Sequence, residues 1–278
     1  MPEAPGAFDI DAGGAVRLSG EQHGDGTPIV LLHGLTATRR YVVMGSRTLE
    51  RAGHRTVAYD ARGHGRSSAA ADPADYTYEL LSADLRAVLD GLEIERAAIA
   101  GASMGAHTAI RFALAHPERV AALGLITPAY DPDASLAGDA LAGWDRLARG
   151  LRDGGVEGFV RAYDLGAVRP QWRAIVERVL RQRLSAHEHP LAVADALQCV
   201  PRSRPFEDWA QLSQIECPTV VVGSRDEADP THPLATAERY AATVRGATLV
   251  VEEAGPPIRS PIAWQGGQLS KVLGELPA

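Results

Sequence analysis

Short apolar runs alternate with longer helical patterns along most of this chain, and few folds satisfy that rhythm. Residues 16–21, 29–32, 56–59, 97–100, 122–126, 219–222 and 248–251 read as strands. Helical spacing fills 77–91, 104–115, 233–243 and 263–274 between them. Ile29-Val30-Leu31-Leu32 and Thr219-Val220-Val221-Val222 are apolar almost throughout instead of alternating, as strands covered on both faces must be. The pattern predicts an α/β chain, a mostly parallel sheet flanked by helices.

From 128 to 214 the rhythm breaks. No strand pattern occurs there, but amphipathic stretches do, at 136–151, 156–163, 171–184 and 191–199, with Trp172, Ile175, Val176, Val179 and Leu180 at helical spacing. We expect a core formed by 1–127 and 215–278, with 128–214 as a helical lid over the carboxyl edge of the sheet. No linker or repeat sets that segment apart, so it should pack as a subdomain.

Composition narrows the class. A chain of 278 residues can bury one large core, and no apolar run approaches the ~18 residues of a membrane span. The acidic amino end has neither a basic start nor an apolar stretch, so no secretory signal is visible and a cytoplasmic location is expected. Cys199 and Cys217 stand in no metal or redox spacing. A formal charge of −7 without a basic run argues against a nucleic-acid partner. Lys271, the only lysine, falls in the last helical stretch, which leaves little room for Schiff-base chemistry, and the arginines read mostly as solvated surface charge.

One motif carries chemistry. Gly101-Ala102-Ser103-Met104-Gly105 lies directly between the strand at 97–100 and the helix at 104–115. A strand that turns at once into a helix lifts the intervening side chain off the sheet edge, and the flanking glycines let strand and helix pass without a Cβ between them. Ser103 is the candidate nucleophile. The turn lacks the lysine of a phosphate-binding loop and the spacing of a dinucleotide fingerprint, so no cofactor is expected.

Further turns complete a pattern. His33-Gly34 follows one strand, Asp60-Ala61-Arg62-Gly63-His64-Gly65-Arg66-Ser67 follows the next, and Gly223-Ser224-Arg225-Asp226 follows a later one, four residues before Pro230. In this order and spacing, over nearly the whole chain, they resemble the α/β-hydrolase fold, most of all its small esterases and enol-lactonases. That resemblance implies a sheet of the eight-stranded type. It also implies Ser103 as nucleophile, the backbone NH groups of Leu35 and Met104 as oxyanion donors, and Asp226 as the acid orienting a histidine base. His33 and His64 become structural residues. The fold also hosts dehalogenases, lyases, perhydrolases and receptors, so the resemblance specifies architecture better than reaction.

The chain departs from the family where the base should stand. After 248–251 the family places a Gly-His pair, and here Glu252-Glu253-Ala254-Gly255-Pro256-Pro257 follows, with Pro256 at the histidine position. Proline cannot take a proton from Ser103. One reading relocates the base, with His232 best placed because its loop leaves a strand end on the serine's face; the alternative is that His232 caps the next helix. His187 and His189 are a second source, although solvated lid surface suits them better and their spacing does not support a metal site. Another reading keeps the pocket for a cofactor-free lyase or isomerase step, with Glu252 or Glu253 as carboxylate base. A catalytically impaired ligand-binding protein is the last.

The substrate expected is a small or medium, mostly apolar carboxylic ester or lactone. Trp144, Phe159, Tyr163, Trp172 and Trp209 offer aromatic surface, with Trp144 and Trp172 the candidates to touch substrate and at least half of the set expected in core packing. The partner is thus a small molecule, with no membrane role, for a monomer or homodimer.

Overall fold

The computed structural model describes residues 6–134, 136, 138–225, 229, 231–252 and 264–277. The chain opens with β1 (Ala7–Asp11), β2 (Arg17–His23), β3 (Thr27–Leu32), the short α1 (Thr48–Arg51) and β4 (His54–Tyr59). It continues with α2 (Tyr78–Gly91), β5 (Ala97–Ala102), α3 (Met104–Ala115) and β6 (Val120–Ile126). Three helices follow, α4 (Gly138–Ala162), α5 (Pro170–Leu184) and α6 (Pro190–Cys199). Then come β7 (Thr219–Gly223), α7 (Leu234–Thr243), β8 (Thr248–Val251) and α8 (Gly266–Leu273).

The strands form one eight-stranded sheet in the order β1-β2-β4-β3-β5-β6-β7-β8. β1 and β2 pair antiparallel, β2 meets β4 antiparallel, and every pairing from β4 to β8 is parallel. Alternation along the central strands assigns each residue to a face. Val30 and Leu32 of β3 pack toward α2, α3 and α7 with Leu85, Ile110 and Tyr240, while Ile29 and Leu31 pack toward α1 and α8 with Leu49, Leu269 and Leu273. Both faces are therefore covered, which is why these strands need no polar positions.

Chain direction reverses its progress across the sheet at β3, with β4 on one side and β5 on the other. Such a switch point opens a crevice beyond the carboxyl ends of the two strands, because their following segments diverge to opposite sides. The turns at His33 and Ser103 leave β3 and β5 at this place.

Between β6 and β7 the described residues carry helices and no strand. The backbone of α4 breaks at Gly154-Gly155, with Gly155 at φ 57°, and its two limbs close so tightly that a Cβ on Gly158 would stand 2.0 Å from the Gly150 carbonyl oxygen. Ala148, Leu151, Phe159, Leu180, Leu184 and Val193 join α4, α5 and α6 in a small core of their own. That layer docks on the sheet domain through Ala192, Ala196 and Val200, which pack with Tyr76, Leu81 and Met104. No helix among the described residues is long and apolar enough to cross a membrane.

Candidate active site

Ser103 stands at the elbow between β5 and α3 with φ 50° and ψ −112°, a conformation unfavourable for any residue with a Cβ. Packing imposes it. A Cβ on Gly101 would lie 2.2 Å from the Gly105 carbonyl, and one on Gly105 would lie 2.2 Å from the carbonyl oxygen of Leu32, so strand and helix approach as only glycine permits. The Ser103 amide donates to the Ile126 carbonyl at 3.0 Å, which pins the elbow to β6. The side chain is only half-buried. Thr36 after β3 and Thr127 after β6 also hold positive φ, 67° and 42°, so backbone strain gathers at the carboxyl ends of three neighbouring strands.

His232 reaches that serine. Its Nε2 lies 2.9 Å from Ser103 Oγ, and its Nδ1 lies 2.7 Å from Oδ2 of Asp229. A carboxylate at Nδ1 holds the ring proton there and leaves the Nε2 lone pair facing the hydroxyl. Asp229 also accepts from the Thr231 hydroxyl at 2.6 Å and the Thr231 amide at 3.3 Å. Burial raises its carboxyl, but hydrogen bonds from His232 and Thr231, with the imidazole's charge, outweigh that and hold it down at about 2. The residue preceding α7 is Pro233, so His232 does not serve as that helix's cap.

The sequence had pointed to Asp226 as the acid, and Asp226 lies outside the described residues, as do Glu253, Gly255 and Pro256. Asp229 was not singled out, although the spacing Asp229-Pro230-Thr231-His232 carried the signal: an aspartate with a threonine two residues on forms a local turn that aims the next side chain. Glu252, considered above as a base, is engaged elsewhere, its Oε1 accepting from the Ser224 hydroxyl at 3.3 Å and from the Arg225 amide.

The amides of Leu35 and Met104 donate no hydrogen bond among the described residues. Met104 begins α3, where the helix leaves its first NH groups unpaired and its dipole favours negative charge. The loop bearing Leu35 passes against the elbow: a Cβ on Gly34 would stand 3.5 Å from the Ser103 Cβ.

Behind the loop, three buried imidazoles hold it in place. His33 accepts from the Ala61 amide at 2.9 Å and donates from Nδ1 to the Gly34 carbonyl at 2.8 Å. His64 donates to the Arg62 carbonyl at 2.9 Å, and its ring packs between those of His33 and His187. His187 accepts from the Gly65 amide at 2.8 Å and donates to the Thr36 carbonyl at 3.0 Å. His187 is therefore not the solvated lid residue expected, because both ring nitrogens are spent on buried backbone; His189 is exposed. Burial lowers His33 to about 3 and lowers His64 and His187 as well, so all three stay neutral.

Other expectations need correction. Arg62 is buried, gripping Asp84 through Nε at 2.8 Å and Nη2 at 2.7 Å, and so fixes the turn after β4. Trp209 belongs to the main core, with Phe206 and Tyr240, and not to the helical layer. Phe159 fills that layer's core. Trp144 is half-buried in the same cluster as Leu35, whereas half-buried Trp172 on α5 joins no apolar cluster among the described residues.

The profile of the alpha/beta hydrolase fold family matches residues 27–257. The chain belongs to that family. It is 30% identical over 92% of its length, and 92% of the relative's, to "Putative carbamate hydrolase RutD" of Pseudomonas syringae. Among solved structures it resembles a hydrolase from Pseudomonas aeruginosa, with TM-score 0.73 and 27% identity over 90% of this chain and 91% of that one. It also resembles a thermophilic esterase from Thermogutta terrifontis, with TM-score 0.70 and 26% identity over 88% and 89%.

Proposed function

We propose that this α/β hydrolase cleaves small or medium carboxylic esters or lactones through Ser103, with His232 as base and Asp229 as its orienting acid. The reading rests above all on one contact, the 2.9 Å approach of His232 Nε2 to Ser103 Oγ. A serine hydroxyl is a weak nucleophile until a base within hydrogen-bond reach takes its proton.

In this mechanism His232 Nε2 accepts the hydroxyl proton as Oγ adds to the substrate carbonyl carbon. Negative charge then collects on the carbonyl oxygen, between the amides of Leu35 and Met104. Asp229 stabilises the imidazolium, which returns its proton to the departing alkoxide. Water, deprotonated by the same imidazole, releases the acid and restores Ser103. The helices of 128–214 act as the lid, and Trp144 and Trp172 bound the substrate's acyl part. Trp144 is supported by the cluster it shares with Leu35.

The carbamate hydrolase named among the relatives keeps a second acyl class in view, since a carbamate carbonyl passes through the same tetrahedral addition. Incubation with a fluorophosphonate, followed by peptide mass spectrometry, tests the reading. Modification of Ser103, lost in His232→Ala, is the expected result; an unmodified Ser103 in folded protein overturns it.

A further inference from the structure

On the serine-hydrolase reading above, we propose that Arg183 receives an anionic group of the substrate, so that the preferred esters or lactones carry a carboxylate on the acyl side.

Arg183 occupies the last turn of α5 and is only partly accessible. Its Nη2 donates at 3.2 Å to the carbonyl oxygen of Leu35, the residue whose amide is proposed as an oxyanion donor. Its guanidinium lies 5.8 Å from the centre of the Tyr41 ring. Nε is buried and has no hydrogen-bond partner. Arg181, two residues earlier on the same helix, holds Glu157 at 2.8 Å and Glu177 at 3.0 Å, yet no described carboxylate pairs with Arg183.

A guanidinium withdrawn from water without a counter-ion is unfavourable by several kcal/mol in general terms, which is why buried charges are ordinarily paired. Among the described residues, the groups around Arg183 do not supply that pair. Asp229 contributes its field, but its oxygens are committed to His232 and Thr231; the remaining neighbours, Tyr41 and Tyr163, are phenols. The cation therefore sits against the loop that bears Leu35, with Nε still to fill. A planar fork of this kind matches a carboxylate in two-pronged geometry. The chain as a whole carries a formal charge of −7, so an acidic substrate needs such a local cation to enter.

The test compares two esters of equal acyl length on the full-length protein, 4-nitrophenyl hexanoate and the mono-4-nitrophenyl ester of adipic acid. The half-ester is expected to show a kcat/KM ~10- to 100-fold higher, chiefly through KM, as a charge-assisted hydrogen bond gives. Salt should shrink that ratio, and Arg183→Gln should bring it to about one whatever happens to both activities together through Leu35. A wild-type ratio of one, or an unchanged ratio in Arg183→Gln, overturns the proposal. Should that variant not fold, adipate is tested as a competitive inhibitor of hexanoate hydrolysis by the wild type. Inhibition beyond that of sodium chloride at equal ionic strength supports the site, and its absence overturns it. Modification of Ser103 by fluorophosphonate without any charge preference sinks this inference alone; absence of modification and of both activities sinks it together with the hydrolase reading.

Discussion

Replacing Asp229 by Asn separates the geometry described here from the family pattern. The carboxylate at 2.7 Å from Nδ1 keeps the ring proton on that nitrogen, which leaves Nε2 free to accept from Ser103 at 2.9 Å. An amide can present its NH2 to Nδ1 instead, which moves the proton to Nε2 and turns the base away from its task. In a fully buried triad that change lowers kcat by about 10⁴. Asp229 has 41% of its side chain exposed, so water replaces part of its field and about 10² to 10⁴ is the expected loss. His232→Ala removes the acceptor itself, and a loss of up to about 10⁶ follows. Hydrolysis of 4-nitrophenyl acetate, followed in all variants beside circular dichroism to confirm folding, gives the comparison. Asp226→Asn is the internal control and should lose less than Asp229→Asn. If Asp226→Asn is the more damaging, or His232→Ala keeps more than a tenth of the activity, the assignment of base and acid to this loop is wrong.

Four further outcomes are expected. Gly105→Ala forces a Cβ to within 2.2 Å of the Leu32 carbonyl oxygen, so β3 and α3 must part; a loss of about 1–3 kcal/mol in denaturant melts is expected, and an unchanged midpoint would contradict the close approach. His187→Ala strips partners from the Gly65 amide and the Thr36 carbonyl, and should destabilise by about 1–3 kcal/mol while lowering kcat through the neighbouring Leu35. Burial lowers His33, and likewise His107, buried on α3 where its Nε2 accepts from the Ala129 and Tyr130 amides, to about 3 from 6.5, so the unfolded chain binds the extra protons and stability falls as pH drops below 6.5; at pH 5 each contributes a loss of about 2 kcal/mol, read as a lower urea midpoint than at pH 7. Glu252→Ala removes the carboxylate's contacts with the Ser224 hydroxyl and the Arg225 amide at the root of the histidine's loop and should lower kcat by ~10-fold or more with little change in folding, a result that a conformationally independent loop would not give.

Much of the fold was legible because its signals are local. Every predicted strand is present, and Gly154-Gly155 breaks α4 between the two stretches read as separate helices. β1 escaped notice because only Phe8 and Ile10 are large and apolar in an exposed edge strand that has one neighbour. His187 was misjudged for a different reason. Its sequence neighbours Ala186, Glu188 and His189 are exposed, and its partners at Gly65 and Thr36 lie 122 and 151 residues away. Burial that depends on distant backbone leaves no local mark. Arg62 was missed likewise, since its partner Asp84 reads as an ordinary helical surface acid until α2 is laid against the turn.

On the proposed roles, drawing the base from the loop after β7 changes how the site must be held together. When acid and histidine come from two loops, each is positioned by its own strand and an error in one leaves the other in place. Here Asp229 and His232 are three residues apart in the connection between β7 and α7, and together they reach Ser103 at the end of β5. Their mutual geometry is then a short-range matter, set by the turn at Thr231, while their joint position over Ser103 depends on the loop's two ends. Glu252 holds one end, and Pro233, which leads into α7, holds the other. Such an arrangement sets the Asp–His pair by its own short turn and leaves the Nε2 to Oγ distance to the anchoring of the loop. Rate in this enzyme should accordingly respond more steeply to substitutions at the loop's roots than to those in the core beneath it.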